Sequence, residues 1–241
     1  MTGMASREYK IPVWKRVFDL LLIGVTAPVW LPLMIVMAVA VKLTSPGPVF
    51  FRQERVGYGG KNFMILKFRS MKVNARTQAH EWHVENLIRT DQRMTKMDAR
   101  GDARMIPGGR MMRALGLDEL PQIFNVLRGE MSLVGPRPCI PREFECYKPD
   151  QKRRIEAPPG LTGLWQVMGK NKLTFTEMIA LDLQYCDSMS PKLDTLIILC
   201  TIPVLLGQFL EMELRQATCA ATAETEPLAT EPGALTSANQ A

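Results

Sequence analysis

Two adjacent carboxylates, Asp118 and Glu119, are the residues of this sequence best placed to do chemistry. Pro121 and an apolar pattern follow them, which predicts that the pair lies in the first turn of a helix. A helix N-terminus attracts phosphate through its free N–H groups and its dipole, and an ionised aspartate can attack phosphorus to form an acyl phosphate. A purely structural interpretation also holds, because aspartate is a favoured N-cap and glutamate is common in first turns.

A phosphate site also needs cations, and three basic segments are candidates. Lys67 and Arg69 stand at the end of a predicted strand. Arg113 lies five residues before Asp118, and Arg137 stands between two prolines. A guanidinium fork matches phosphate oxygens, and the flanking prolines restrict the local backbone. Each residue alone would ordinarily be a surface charge, and the sequence does not show whether they converge in space.

Several short elements must position these side chains. Residues 49–56 and 62–71 predict two strands of a hairpin around a glycine-rich turn. The turn lacks the P-loop spacing, and no GxGxxG follows a strand, so a Rossmann unit is not expected. Residues 102–130 predict helical structure that is broken near Gly116. Residues 158–167 contain two glycines and Trp165, which predicts either a turn with a buried ring or a loop that approaches a nucleobase or lipid.

Further along the chain, Thr174 and Glu177 form the pattern of a capping box, which predicts the start of an amphipathic helix running through Tyr185. Residues 74–101 are rich in charged and polar residues, which predicts a surface helix or a variable loop. His80 and His83 lie in this segment, and a solvated helix face explains them better than a metal pair, because no cysteine or third histidine supports a metal site.

One segment is apolar enough for a membrane. Residues 20–41 contain no charge over 22 positions, and as a helix they would extend about 33 Å, close to the hydrocarbon thickness of a bilayer. The stretch is longer than the apolar region of a cleavable signal peptide. A membrane helix is therefore predicted.

This helix could span the membrane or enter and return. Ala27 and Pro28 fall within it and Pro32 follows one turn later, and proline breaks or kinks a helix. Basic flanks prefer the cytoplasm, which favours a re-entrant helix broken at Ala27–Pro28, although a kinked spanning helix also tolerates prolines. The basic flanking residues are Lys15, Arg16, Lys42, Arg52 and Arg55.

Composition limits the remaining possibilities. The 241 residues suffice for one substantial domain, and 46% of them are hydrophobic. The net charge of +6 suits nucleic acid, an anionic membrane or a phosphorylated substrate. We expect no nucleic-acid partner, because no RNP aromatic pair, helix-turn-helix or zinc module is present. The five cysteines form no CxxC pair, which is typical of reduced thiols in a cytosolic setting.

Several segments together resemble the bacterial sugar transferase family, the monotopic polyprenyl-phosphate phosphoglycosyl transferases, in the short form that consists of the catalytic core. The resemblance covers roughly residues 14–210, and its most specific segment is 117–138. The matching segments are KRVFDLLL (15–22), SPGPVFFRQERVG (45–57), KFRSM (67–71), LDELPQIFNVLRGEMSLVGPRP (117–138), PGLTGLWQV (159–167) and LDLQY (181–185).

The resemblance implies a ping-pong reaction at the membrane. Asp118 would attack the β-phosphate of a UDP-sugar and release UMP, with Glu119 as its partner in a dyad. Polyprenyl (undecaprenyl) phosphate would then take the phosphosugar, the first membrane step of polysaccharide or glycoconjugate assembly. Mg²⁺ would be held by Asp118 and the diphosphate. Arg137 would contact phosphate, and weaker implied contacts are Lys67, Arg69 and Arg113.

The resemblance and the residue patterns together predict a helix-dominated α+β fold with a re-entrant membrane hairpin, interfacial amphipathic helices and a small antiparallel β-hairpin. Residues 1–13 form a flexible lead and residues 14–43 the re-entrant helix. Residues 44–212 form a catalytic domain on the cytoplasmic face of the bacterial inner membrane, ending in an interfacial helix over residues 193–210. Residues 213–241 contain no aromatic side chain, which predicts a disordered tail.

One position departs from the family pattern, and two other functions compete. Pro158 stands where the family usually has a basic residue before PGLTG, and Arg153 or Arg154 could supply the missing contact.

A glycosyl transferase releasing UDP, or a non-catalytic membrane-anchored basic scaffold, would explain some of the same features. The motifs address a diphosphate common to all donors, so they do not select the sugar, and a homo-oligomer is compatible with the sequence.

Overall fold

The computed structural model describes residues 10–73, 78–93, 104–169 and 172–224. Helices dominate it, and two small two-stranded sheets accompany them, which confirms the predicted helix-dominated α+β class. The predicted lead up to residue 9, the tail from residue 225 and the side chains of the two histidines lie outside the described residues. The helices are α1 Val13–Thr44, α2 Gln78–Thr90, α3 Gly109–Ala114, α4 Ile123–Arg128, α5 Pro141–Glu145, α6 Leu164–Met168, α7 Phe175–Ser188 and α8 Pro191–Glu224, and the strands are β1 Phe50–Val56, β2 Asn62–Phe68, β3 Ser132–Val134 and β4 Gly160–Thr162.

Helix α1 runs continuously through Ala27 and Pro28, so the predicted break there does not interrupt the helical structure. Proline lacks a backbone N–H and removes one hydrogen bond of the helix. Close to this point the indole Nε1 of Trp30 donates to the carbonyl oxygen of Ile23 at 3.0 Å. Trp30 thereby supplies a side-chain donor to the backbone next to the proline.

Both halves of α1 pack against the same body. Ile23 in the first half joins a core cluster with Ile65 and Val126, whereas Met34 and Val41 in the second half join another with residues of β2 and α3. The opposite surface of α1 is exposed and apolar. Of the described helices, Val13–Thr44 and Pro191–Leu210 are long and apolar enough to cross a membrane by length and composition.

Buried polar contacts fasten the start of α1 to that body. Lys15 Nζ lies 2.5 Å from the Asp194 carboxylate and donates to the Tyr185 hydroxyl at 2.8 Å, with Lys15 and Asp194 fully buried. One turn on, Asp19 Oδ1 accepts from the Ser132 hydroxyl and the Leu133 N–H at 3.0 and 3.1 Å. These contacts join α1 to α8, α7 and β3.

The hairpin predicted from the sequence is present as strands β1 and β2, paired antiparallel with Phe51 opposite Lys67 and Arg55 opposite Phe63. Alternate residues of a strand share one face, so Phe51, Gln53 and Arg55 lie on the same face as Lys67. The side chain of Asn125 in α4 accepts from Leu66 N–H and donates to the Met64 carbonyl, which ties α4 to the edge of β2.

The second sheet consists of β3 and β4, paired parallel over Ser132↔Gly160 and Val134↔Thr162. The sequence predicted only a turn or loop where β4 lies. Trp165, just beyond it, is buried, as expected for the turn with a buried ring. Gly135 and Gly160 allow the two backbone segments to approach closely, because a Cβ on either glycine would lie 2.1 Å from a backbone atom of the opposite segment.

Replacing Gly135 by alanine is expected to destabilise the protein. The added Cβ would lie 2.1 Å from the Pro158 carbonyl oxygen, and backbone cannot move aside as a flexible side chain can. Overpacking of this kind costs about 1–3 kcal/mol, measurable as a lower melting temperature in detergent. Gly207→Ala in α8 is the control, because its Cβ would meet nothing within 4 Å. Equal melting temperatures for Gly135→Ala and the control would contradict the close approach.

The last two helices confirm one prediction and correct another. At the start of α7, Thr174 accepts from the Glu177 N–H and the Glu177 side chain accepts from Thr174 N–H, which is the predicted capping box. Helix α8 continues to Glu224, so residues 213–224 are helical and the predicted disordered tail does not begin at 213. The segment after Leu210 continues the helix because its alanine, glutamate and leucine residues have high helix propensity.

Candidate active site

The two predicted carboxylates lie on a short 3₁₀ helix, Leu117–Gln122, which leads directly into α4. Gly116 precedes it with φ of +69°, a left-handed conformation that glycine adopts without strain. The expected break near Gly116 is therefore real, and the first turn is 3₁₀ rather than α. Asp118 is 9% exposed, whereas the Glu119 side chain is 37% exposed.

Lys67 is the predicted cation that the structure places beside the carboxylate pair. Its Nζ donates to Glu119 Oε1 at 2.9 Å, and both side chains are partly exposed. The hairpin register explains this contact, because Lys67 lies on the β2 face that packs against the 3₁₀ helix. The lysine compensates one of the two adjacent negative charges.

Arg55 is a site residue that sequence reasoning treated only as a basic flank of the membrane segment. It is buried and donates to the Pro138 carbonyl oxygen at 3.1 Å and to Gln53 at 2.7 Å. Burial and, to a smaller extent, the neighbouring Arg137 lower the pKa of Arg55 to about 10, although Glu143 and Glu119 act in the opposite direction. Arg55 therefore fastens the loop that carries Arg137, and its charge also acts on Glu119. Its place in the FRQERVG segment was the signal.

Arg137 emerges from the proline-flanked loop after β3 with 24% of its side chain exposed. Its Nη1 lies 3.4 Å from both carboxylate oxygens of Glu143, which is buried on α5. Burial alone would raise the pKa of Glu143, but the Arg137 and Arg154 guanidiniums together bring it below its ordinary value. Glu143 is thus ionised beneath a partly exposed arginine.

The other predicted cations have different surroundings. Arg69 is buried and donates to the carbonyl oxygens of Ser45, at 2.7 Å, and Pro46, so it fastens the turn after α1. The predicted contact of Arg69 with phosphate stays a prediction. Arg113 lies on α3 with Nη1 3.9 Å from the Met105 sulfur.

Arg153 and Arg154 were proposed to replace the basic residue absent at Pro158, and both are paired with carboxylates. Arg154 is buried, and its guanidinium pairs with Asp182. Arg153 is half-exposed and pairs with Asp187 at 2.8 Å and Glu156 at 3.5 Å. Arg154 instead donates to the Arg137 carbonyl oxygen at 2.8 Å, a contact between residues 17 positions apart that no local pattern predicts.

In the part of the chain that the structure describes, no group of three or more His, Cys, Asp or Glu side chains is arranged to hold a metal ion. Asp118 and Glu119 nevertheless supply hard carboxylate oxygens at one point. Mg²⁺ commonly uses only one or two protein carboxylates and completes its shell with water and substrate phosphates. The residues present therefore fit a magnesium ion that arrives with a diphosphate.

A carboxylate pair with a lysine on one of its members, on a body that also carries an exposed apolar helix, is the arrangement expected of a membrane-associated enzyme for an anionic substrate. The sequence model of the family described as bacterial sugar transferase matches residues 10–208. The chain belongs to the bacterial sugar transferase family.

Curated relatives support the same membership. The chain is 36% identical over 189 residues to the exopolysaccharide production protein ExoY of Sinorhizobium fredii, covering 78% of this chain and 84% of the relative. It is 41% identical over 200 residues to the UDP-glucose:undecaprenyl-phosphate glucose-1-phosphate transferase of Caulobacter vibrioides, covering 80% and 69%. It is 37% identical over 192 residues to the undecaprenyl-phosphate galactose phosphotransferase of Salmonella typhimurium, covering 80% and 40%.

Proposed function

We propose that this chain transfers a sugar 1-phosphate from a UDP-sugar to polyprenyl phosphate, giving a polyprenyl-diphosphate sugar and UMP. The names of the Caulobacter and Salmonella relatives support this reaction class. The observation that carries the proposal is the placement of Asp118, nearly buried and next to Glu119, with Lys67 2.9 Å from that second carboxylate. The ExoY relative supports a role in exopolysaccharide production.

In the first half-reaction, a carboxylate oxygen of Asp118 attacks the β-phosphorus of the UDP-sugar. An acyl–phosphate bond forms, and the bond between the β-phosphorus and the oxygen bridging to the α-phosphate breaks. UMP leaves with that oxygen and its electron pair. Splitting the transfer into two steps in this way is the purpose of covalent catalysis.

In the second half-reaction, a phosphate oxygen of the polyprenyl phosphate attacks the same phosphorus. The acyl–phosphate bond breaks, and Asp118 returns to a free carboxylate. Glu119, held by Lys67, remains beside the reacting group through both steps. Arg137 contacts phosphate and offsets the negative charge that both substrates bring.

Magnesium fits this chemistry through Asp118. When bound, the ion neutralises charge on the transferring diphosphate. The protein's own contribution is to fix Asp118 between Gly116 and the buried Pro121 and to keep Lys67 2.9 Å from Glu119.

The packing of α1 supports a re-entrant placement at the cytoplasmic face. Both halves of the helix contact one body, so a helix crossing the bilayer would have to carry part of that body across. Lys15 and Lys42 near its two ends favour the same, cytoplasmic side. This placement brings a lipid-linked acceptor and a soluble donor to one interface.

The nucleotide product distinguishes this reaction from ordinary glycosyl transfer. Protein in nanodiscs is incubated with Mg²⁺, undecaprenyl phosphate and a panel of UDP-sugars that includes UDP-glucose and UDP-galactose, and the released nucleotide is identified by chromatography. We expect UMP, with sustained release only when the lipid is present. Release of UDP would assign the chain to sugar transfer without phosphate and would overturn the proposal.

A further inference from the structure

The segment LDLQY in α7 has no role in the reaction described above, although two of its polar side chains are buried. Tyr185 faces α8 and β3, where its single hydroxyl proton lies between two acceptors, Asp194 at 2.7 Å and the Val134 carbonyl oxygen at 3.2 Å. Asp182, one turn earlier, instead pairs with Arg154. The two side chains therefore contact different parts of the protein, and of the two only Asp182 contacts a residue, Arg154, that is hydrogen-bonded to Arg137.

Arg137 is held at two points by a closed ring of side chains. Arg154 donates through Nη2 to the Arg137 carbonyl oxygen at 2.8 Å and through Nη1 to the Tyr147 hydroxyl at 2.7 Å. Tyr147 donates to Glu143, and Glu143 accepts from the Arg137 guanidinium. Asp182 anchors the ring through its pair with Arg154. The main chain and the side chain of Arg137 are thus both fixed by one network.

We propose that Glu143 and Asp182 are positioning residues for the phosphate-binding arginine. Glu143 orients the guanidinium of Arg137, and Asp182, acting through Arg154, fixes the main chain that carries it. This inference rests on the proposed contact of Arg137 with substrate phosphate. Neither carboxylate itself touches the substrate.

The contact geometry favours orientation over permanent pairing. Charge-assisted hydrogen bonds between a guanidinium and a carboxylate usually measure about 2.7–2.9 Å, whereas Arg137 Nη1 lies 3.4 Å from each oxygen of Glu143. A guanidinium carries five N–H donors, so one nitrogen on Glu143 leaves donors for a phosphate. The Glu143 side chain is 1% exposed while that of Arg137 is 24% exposed, so the carboxylate supports the arginine from inside.

The charges of the network point the same way. Within the ring, the positive charges of Arg137 and Arg154 balance the negative charges of Glu143 and Asp182. Buried Arg55, whose charge acts on Arg137 and Glu143, adds one positive charge in excess. Arg137 is the most exposed of the five residues. The excess charge is therefore available where an anionic substrate can approach.

Binding of UDP tests the proposal without requiring turnover or knowledge of the sugar. Its dissociation constant is measured by calorimetry with Mg²⁺ for wild type, Glu143→Gln, Arg137→Lys and the double variant. We expect about tenfold weaker binding for each single variant. The double variant should bind no more weakly than Arg137→Lys alone, because an orienting carboxylate has no further effect once its arginine is altered. Asp182→Asn is expected to show the same coupling.

Tyr185→Phe is the matched control, because it removes buried hydrogen bonds from the same helix without touching the ring. It should lower the melting temperature and leave UDP affinity unchanged. If Glu143→Gln is poorly folded, Glu143→Asp keeps the charge, shortens the side chain and should weaken binding less. Multiplicative effects in the double variant, or a Glu143→Gln protein that melts earlier but binds UDP normally, would overturn the proposal. Either result would overturn only the positioning role, because UMP release by wild type would still support the proposed reaction. Conversely, release of UDP would overturn the proposed reaction without changing the coupling measured between Glu143 and Arg137.

Discussion

Asp118→Asn is expected to reduce UMP release by a factor on the order of 10³ or more, since removal of a catalytic nucleophile has effects of this size or larger. The carboxamide has nearly the shape of the carboxylate, so the short helix Leu117–Gln122 should keep its packing on β2. It lacks the negative charge and the nucleophilic oxygen needed to attack phosphorus. The measurement is the initial rate of UMP formation with saturating UDP-sugar and undecaprenyl phosphate.

Asp187→Asn is the control for this experiment, because Asp187 is an exposed residue of α7 whose partner is Arg153 on the surface. Its rate should match that of wild type. Glu119→Gln should give an intermediate loss, because Glu119 supports the reacting group without bonding to phosphorus. An Asp118→Asn protein that retains a tenth or more of the wild-type rate would exclude Asp118 as the nucleophile.

Lys15→Met is expected to cause the largest loss of stability among single substitutions at the contacts of α1. Lys15 and Asp194 are both fully buried, so methionine would leave a buried carboxylate without its cation. Breaking a buried pair at one partner costs about 3–5 kcal/mol. Because Tyr185 still donates to Asp194, we expect the lower end of that range. Thermal unfolding in detergent, followed by circular dichroism, measures the effect.

Two further variants separate charge from packing at this position. Lys42→Met removes an exposed lysine near the other end of the same helix and should leave the melting temperature unchanged. The double variant Lys15→Met with Asp194→Leu should recover much of the lost stability, because a buried pair replaced by apolar residues is often neutral. A Lys15→Met protein as stable as Lys42→Met would contradict the anchoring role of this ion pair.

The features that follow from local spacing could be predicted from the sequence. Two strand-like segments around a glycine-rich turn predicted the β1–β2 hairpin, and Gly116 predicted the break before the carboxylate pair. The capping-box pattern of Thr174 and Glu177 predicted the start of α7. Each of these depends on residues only a few positions apart, where backbone geometry fixes which groups can meet.

Contacts between distant residues were beyond the reach of that reasoning. Lys15 and Asp194 are separated by 179 positions, and nothing local to either identifies its partner. Arg69 and Arg137 stand in similar basic segments, but folding assigns the first to carbonyl oxygens after α1 and the second to Glu143. Strand β4 pairs over three residues, too few for an alternating pattern to be recognised.

The central claim is a covalent phosphosugar on Asp118, and mass spectrometry of the intact protein tests it most directly. Wild type and Asp118→Asn are mixed with Mg²⁺ and the active UDP-sugar, without lipid acceptor. We predict one equivalent of UMP and a mass increase of one sugar phosphate in wild type, neither of them in the variant, and loss of the added mass when undecaprenyl phosphate is supplied. Lipid-dependent turnover without any adduct or UMP in the lipid-free reaction would show direct transfer between the substrates and would contradict the two-step mechanism.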